Sequence, residues 1–445
     1  MRLSLLRSAA LVSLALAPVV GRAQVTAQRP PADRPITLQD AIAIALTQSS
    51  TVRFARNAAR LDSLTVRQAR NAFLPNLTAS SQTSQGFGAG SQQTNALSTS
   101  LGVSSGVTLF NGGQNTNVLA QARLNLQATG HDYDRSRQTV VFVVASDFLD
   151  LITQQEQLRV QQENLAAQQQ ELAQLEQFVR SGTRPIGDQY QQQASVAATR
   201  LAVANARRAT EVAKLNLIQE LVLDPRLDYA FVTPALDSAT APTFNLDSLI
   251  TVAYAQRAEI QAQTLRVQAA EREIRIAEGG RFPLVTGSAG YSSGFNSEND
   301  GTFLTQLNQR RGGSIGVGVS VPIFDRGAVS IARQRAQVLL ENEEISLRDQ
   351  EQAVAVEVRR AYLDYVSAGE QLAASQAQQQ AAALALEAAQ ARYRVGLATL
   401  VEVQLARASM VQAQSAVVSA RSSLVFQQAL MSYYTGVLDP RAVRL

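Results

Sequence analysis

The sequence predicts a mainly α-helical chain with a β-barrel part, in which one long-helix unit is written twice. Three observations carry that prediction. Motif pairs recur at a fixed displacement, helix-forming runs outlast any compact domain, and four short segments alternate between apolar and small polar residues. Phe148-Leu149-Asp150 returns as Tyr362-Leu363-Asp364, and Arg180-Ser181-Gly182 as Arg394-Val395-Gly396, each displaced by 214 positions. Upstream, Thr37-Leu38-Gln39-Asp40-Ala41 and Leu74-Pro75 return as Asn245-Leu246-Asp247-Ser248-Leu249 and Phe282-Pro283 at a displacement of 208, which places a six-residue insertion in the second copy. Leu223-Asp224-Pro225-Arg226 recurs as Leu438-Asp439-Pro440-Arg441.

Residues 1–23 carry Arg2 and Arg7, an apolar stretch from Ala9 to Val20 and the small-residue exit Gly21-Arg22-Ala23, the pattern of a cleaved secretory signal. The apolar run is shorter than the roughly 20 residues a spanning helix needs. Removal of Arg2, Arg7 and Arg22 takes the formal charge from +4 to +1, which gives no electrostatic case for nucleic acid. Cysteine is absent, so disulfides, thiolate metal ligands and a lipid anchored through cysteine are excluded.

The first copy is expected over 24–222. Thr37 with Asp40 three residues later reads as a capping box for a short helix, and a second helical pattern runs from Ser50 to Phe73. A hairpin is expected at 76–110. Leu97, Leu101, Val103, Val107 and Leu109 occupy odd positions while serine, glycine and threonine fill the even ones, following a first strand from Leu77 to Phe87. From Gln114 to Arg180 there is no proline, and a helix of that length is roughly 100 Å long at 1.5 Å per residue. Leu151, Leu158, Leu165, Leu172 and Val179 fall at seven-residue steps, the register of a coiled coil. The chain reverses at Ser181 to Gly187, and a return helix is expected at 187–221.

Residues 223–244, rich in Pro, Asp, Ala and Thr, read as a linker packed around the outside of the helical body. The second copy, 245–445, repeats the plan. Asn245 caps a short helix, a helical pattern runs from Ala258 to Arg281, and a hairpin is expected at 284–324 with strands Val285 to Phe295 and Ile315 to Ile323. The insertion is placed in the loop between them, Asn296 to Gly313. A long helix follows at 328–394, with Tyr365, Leu372, Gln379, Leu386 and Tyr393 on the same heptad seam, then a turn at Val395 to Ala398 and a return helix at 400–434. Aromatics near the strand ends (Phe73, Phe110, Phe282 and Phe324 on the helix side, Phe87, Tyr291 and Phe295 toward the loops) are distributed like the interfacial girdles of membrane barrels. Four strands cannot close a barrel, and an open edge in lipid leaves backbone groups unsatisfied at several kcal/mol each, so several chains must share one barrel.

With Leu74-Pro75, Leu109-Phe110-Asn111-Gly112-Gly113, Ile323-Phe324-Asp325-Arg326-Gly327, Gly182 followed six later by Asp188 and Gly396 followed six later by Glu402, the chain resembles the TolC-type outer-membrane efflux proteins over essentially everything after the signal. The resemblance implies a homotrimer with a 12-stranded outer-membrane β-barrel, four strands per chain, joined to a periplasmic α-barrel. It implies an exit duct for a tripartite efflux or type I secretion system, not an enzyme. The implied partners are a periplasmic adaptor (membrane fusion protein), an inner-membrane pump of the RND, ABC or MFS type, and outer-membrane lipid; no cofactor is implied. It also places a periplasmic gate at Arg184, Asp188, Tyr393 and Glu402, and adaptor docking at the tip turns Gly182, Thr183, Gly396 and Leu397. In this chain the arginine of the second tip is replaced by Ala398, an arginine stands in the first tip as Arg184, and a further acidic position is Leu405.

Bland readings stand beside these. Asp188 and Glu402 also suit the first turns of their helices, where the dipole favours carboxylates; Arg184 suits a solvated turn and Tyr393 a heptad core. His131 is the only histidine, so neither a histidine-based triad nor a histidine metal cluster can be built within one chain. Gly86-Phe87-Gly88-Ala89-Gly90-Ser91 leads to a strand, unlike a phosphate loop. Two other classes are a periplasmic coiled-coil adaptor or scaffold, which needs one hairpin flanked by globular β modules, and a secreted hydrolase, which needs a nucleophile and base in a pocket.

Overall fold

A computed structural model of the chain describes residues 35–86, 96–232 and 244–437; the signal expected at 1–23, Phe87 and the second Leu-Asp-Pro-Arg motif lie outside the described residues. In chain order the elements are α1 Leu38–Gln48, α2 Ser50–Asn71, β1 Thr78–Gln85, β2 Leu97–Asn111, α3 Gln114–Arg180, α4 Ile186–Glu220, α5 Leu246–Gln256 and α6 Ala258–Gly279. They continue as β3 Leu284–Asn296, α7 Phe303–Gln309, β4 Gly312–Ser320, α8 Ala328–Arg394 and α9 Leu400–Tyr434. The matched lengths of the copies are visible in the helices themselves: α3 and α8 each have 67 residues, α4 and α9 each 35.

Local chemistry starts and stops these helices. The Thr37–Asp40 capping box is closed, and Asn245 accepts from the amides of Asp247 and Ser248. Both long helices begin after a left-handed glycine, Gly113 and Gly327. Gly112, one residue earlier, has φ +66, and a Cβ there would stand 2.3 Å from the Gly279 carbonyl oxygen. Only glycine lets the β2–α3 turn approach the end of α6 so closely.

α3 packs against α2 along its barrel end and α4 along its tip end, while α8 does the same with α6 and α9; α6 and α9 also pack against α3, joining the copies. All ten residues of the two heptad series are buried or half-buried. The largest core lies at the middle of α3, where Phe148, Leu151, Leu217 and Leu221 meet Ile36, Leu38 and Ile42. Linker residues Leu223 and Tyr229 enter that core, and the linker's backbone runs parallel to Ile36, with Ile36 N–H donating to Ala230 O at 2.8 Å and Val232 N–H to Ile36 O at 2.9 Å. Residues 233–243 lie outside the described residues.

The equivalent joint of the second copy is ionic. Arg257, at 2 % exposure, pairs with Glu259 and with Glu357 at 2.6 Å, and Arg135 from α3 reaches Glu259 at 3.2 Å while lying 4.0 Å over the Tyr433 ring. In the first copy Ser49 and Thr51 occupy the places of Arg257 and Glu259, without charge.

The four strands form one antiparallel sheet in the order β1-β2-β3-β4, so β2 and β3 join the two hairpins. The register aligns like with like. Val103 pairs with Tyr291 and Tyr291 with Gly313, Val107 with Gly287 and Gly287 with Val317, and Val285 with Val319. Because side chains alternate along a strand, these form one apolar face, and Ser104, Gly290, Ser314, Gly106, Ser288 and Gly316 form a small, polar one. The Tyr291 ring stands 3.4 Å from where a Gly313 Cβ would be, filling the gap that glycine leaves.

Three strand expectations are corrected. β2 carries an extra residue at Leu109, since Thr108 pairs with Thr286 but Phe110 with Val285; the bulge lets Phe110 join the face of Val285 despite its even number. β4 ends at Ser320, short of Ile323, because the ladder stops at Leu284↔Ser320 and Pro322 has no N–H to extend it. The insertion is not only loop: Thr302 caps α7, whose buried Gln306 donates to the carbonyls of Asn296 at 3.0 Å and Asn299 at 2.8 Å. Among the described residues no helix is long and apolar enough to cross a membrane.

Candidate functional site

Both long helices end in the same turn. At the first tip Gly182, φ +73, donates to Val179 O and Thr183 N–H to Phe178 O; at the second Gly396, φ +79, donates to Tyr393 O and Leu397 N–H to Arg392 O. This paired pattern is a Schellman cap, and it requires the left-handed residue that glycine supplies. The Thr183 hydroxyl adds a bond to Phe178 O at 2.9 Å, and Leu397 remains 71 % exposed.

The two tips are tied across the chain. Arg184, held at the α3–α4 turn ahead of Pro185, donates to the Tyr393 carbonyl at 2.6 Å, and its guanidinium carbon lies 4.1 Å from the Tyr393 ring centroid. The Tyr393 hydroxyl in turn donates to Asp188 Oδ2 at 3.1 Å. Burial first, and the neighbouring Asp188 charge second, push the Tyr393 phenol up to about 12. Three of the four expected gate residues therefore form one cluster.

Glu402 does not join it. Its carboxylate accepts from the Thr399 amide and hydroxyl, each at 3.2 Å, completing a capping box, and pairs with Arg392 at 3.6 Å. These are the contacts of a helix-terminal carboxylate.

Sequence reasoning missed a second polar layer behind the cluster. Arg407 from α9 pairs with Glu171 from α3 at 2.8 Å, with side chains 10 % and 19 % exposed. Gln192, fully buried, donates to Gln168 Oε1 at 2.6 Å and accepts from Gln404 at 3.2 Å, and Gln404 also accepts from Gln191 at 3.2 Å. One signal for it was present: Leu400, Val403 and Arg407 fall on one helical stripe, so an arginine interrupts an apolar face.

Comparisons with known proteins identify the family and the fold. The family model described as Outer membrane efflux protein matches residues 41–221 and 249–436, one span in each copy. The outer membrane efflux protein BepC of Brucella suis is 25 % identical over 412 residues, covering 90 % of this chain and 85 % of that protein. The outer membrane protein TolC of Vibrio cholerae is 25 % identical over 317 residues, 70 % of each. Among solved structures, CusC superposes with a TM-score of 0.78 at 19 % identity, over 92 % of this chain and 95 % of that one. VceC from Vibrio cholerae superposes at 0.74 and 18 %, over 90 % and 96 %. With both copies matched, this chain belongs to the outer membrane efflux protein family, as an outer-membrane exit duct with a helical periplasmic extension.

Proposed function

We propose that three copies of this chain share one 12-stranded barrel, and that the duct accepts cargo from a periplasmic adaptor and an inner-membrane pump of the RND, ABC or MFS type. The observation that carries the assembly is the sheet: β1 and β4 lie at its two edges, each with one side unpaired by this chain, and one face gathers Val103, Val107, Tyr291, Ile315, Val317 and Val319. Such a sheet suits lipid only when neighbouring chains pair with both edges. The periplasmic scaffold reading leaves that apolar face without a purpose.

The helices support the same assembly. α6 lies between α3 and α8, whereas its counterpart α2 packs on α3 and leaves Phe54, Leu61 and Leu64 between 47 % and 73 % exposed. α8 leaves Ile331, Val338 and Leu339 between 55 % and 57 % exposed. By the internal repeat, α2 of one copy meets α8 of the next and covers both sets.

We read the chain as a conduit and not an enzyme, with the leader 1–23 removed and the copies 24–222 and 245–445 joined by 223–244. Arg184, Asp188 and Tyr393 close the periplasmic end. The adaptor docks at Gly182, Thr183, Gly396 and Leu397, with Glu402 shaping the second turn. Mass measurement in mild detergent tests the assembly: three chains per particle are expected, and a monomer soluble without detergent overturns it.

A further inference from the structure

We propose that the cavity behind Tyr393 binds a small amphipathic monoanion, a carboxylate carried on an apolar ring, and that its occupancy holds α3 to the α8–α9 hairpin. The second half of this proposal rests on the reading of Tyr393 as part of the constriction; the first half does not. The cavity has a volume of about 390 Å³ and opens between α3, α8 and α9 of one chain. That is within the roughly 300–1,000 Å³ range of small-molecule pockets.

Its chemistry is divided. Leu175, Phe178 and Leu400 supply an apolar wall, and glutamine amides line the remainder. Arg407 and Arg394 bring two positive charges against the single negative charge of Glu171, so the cavity carries an excess of one positive charge. Arg407 is the decisive group. It is nine-tenths buried, lines the cavity and gives one arm to Glu171 at 2.8 Å. A carboxylate suits the planar guanidinium and balances the excess charge, whereas a cation is repelled. The apolar wall asks for a ring or short chain behind that carboxylate.

Occupancy bears on the tip because Glu171 and Tyr393 both line the cavity and Glu171 adds to the upward push on the Tyr393 phenol. A ligand touching α3 and both arms of the second hairpin stabilises the arrangement in which they are together.

The test uses the full chain purified in detergent, with 1-naphthoate as probe and 1-naphthylmethanol and acetate as controls. Calorimetry is expected to show saturable naphthoate binding, with both controls at least about tenfold weaker because each lacks one half of the recognition. Ala167→Phe, which fills the cavity and leaves the charges alone, and the double change Glu171→Gln with Arg407→Gln are each expected to weaken naphthoate by at least about tenfold. Ala167→Phe decides the matter if the double variant does not assemble. Equal binding of naphthoate and the alcohol, or unchanged binding to Ala167→Phe, overturns the site. Naphthoate is also expected to lower channel opening in planar bilayers for the wild type and not for Ala167→Phe. Binding without an effect on opening overturns the link to the constriction, while absent binding overturns the pocket alone.

Discussion

The Tyr393 hydroxyl donates to Asp188 at 3.1 Å while Arg184 lies 4.1 Å from the centre of the same ring, so one side chain from the second hairpin is held by two from the first. A hydrogen bond to a charged acceptor contributes about 1.5–3 kcal/mol and a cation–π contact about 0.5–1 kcal/mol at exposed sites. Threefold repetition multiplies a modest local change. Tyr393→Phe combined with Arg184→Ser is therefore expected to raise single-channel conductance or open time in planar bilayers. Unchanged recordings would remove these residues from the constriction.

The upward displacement of the Tyr393 phenol has a defined pH consequence. Its folded pKa, about 12, lies above the ordinary value near 10, so the folded tip favours the protonated ring. The resulting stabilisation is fully present below pH ~10 and is lost as pH rises through ~12. Phenolate absorbance of the wild type minus that of Tyr393→Phe should titrate near pH 12; a difference curve centred at pH 10 contradicts the burial argument.

Register on the sheet is testable one residue apart. Val103 pairs with Tyr291 on the apolar face and Ser104 with Gly290 on the small polar face. Arginine at Val103 is expected to cost roughly 2–4 kcal/mol if it meets the bilayer midplane, read as loss of heat-stable assembly, while Ser104→Arg assembles and alters conductance. The reverse outcome means the faces are exchanged.

Helix lengths, both reversals and the two-faced strands were legible in the sequence because each depends on local periodicity or on a residue with a special backbone. Gly182 and Gly396 mark turns wherever they stand. Leu109 was harder, since alternation reveals that a segment is a strand but not that one residue lies outside the ladder. α7 escaped because seven residues, Phe303 to Gln309, are too few for a helical period. Arg407 and Glu171 are 236 positions apart, and nothing near either one announces the other. At Glu402 the sequence carried two readings at once, because a carboxylate three residues after Thr399 also completes the cap of its own helix.

That local role gives Glu402 its own prediction. Thr399→Ala removes the hydroxyl that accepts from the Glu402 amide, and losing such a cap costs about 0.5–2 kcal/mol. Glu402→Gln keeps an amide oxygen for the Thr399 N–H, so it should destabilise less. If Glu402→Gln instead changes block by multivalent cations as strongly as Asp188→Asn, the carboxylate faces the pore as well as its cap.

The ionic joint of the second copy separates buried from exposed charge within one protein. Arg257 has a side chain 3 % exposed and pairs with both Glu259 and Glu357, whereas Arg159, 59 % exposed, pairs with Glu156 and Glu163 on the surface of α3. Arg257→Met leaves two carboxylates facing each other at the α5–α6 joint, a loss of about 3–5 kcal/mol for a buried pair broken on one side. Arg135 still reaches Glu259, and Glu357 is 42 % exposed, so the lower end of that range is expected. Arg159→Met should cost only about 0–1 kcal/mol, because water screens the same loss. Adding Glu357→Gln to Arg257→Met should restore part of the stability, because the remaining carboxylate, Glu259, still pairs with Arg135. Melting in detergent at equal protein concentration compares all three, since assembly makes the midpoint concentration-dependent. Equal losses for Arg257→Met and Arg159→Met, or no recovery on adding Glu357→Gln, would show that charge at this joint contributes nothing beyond packing.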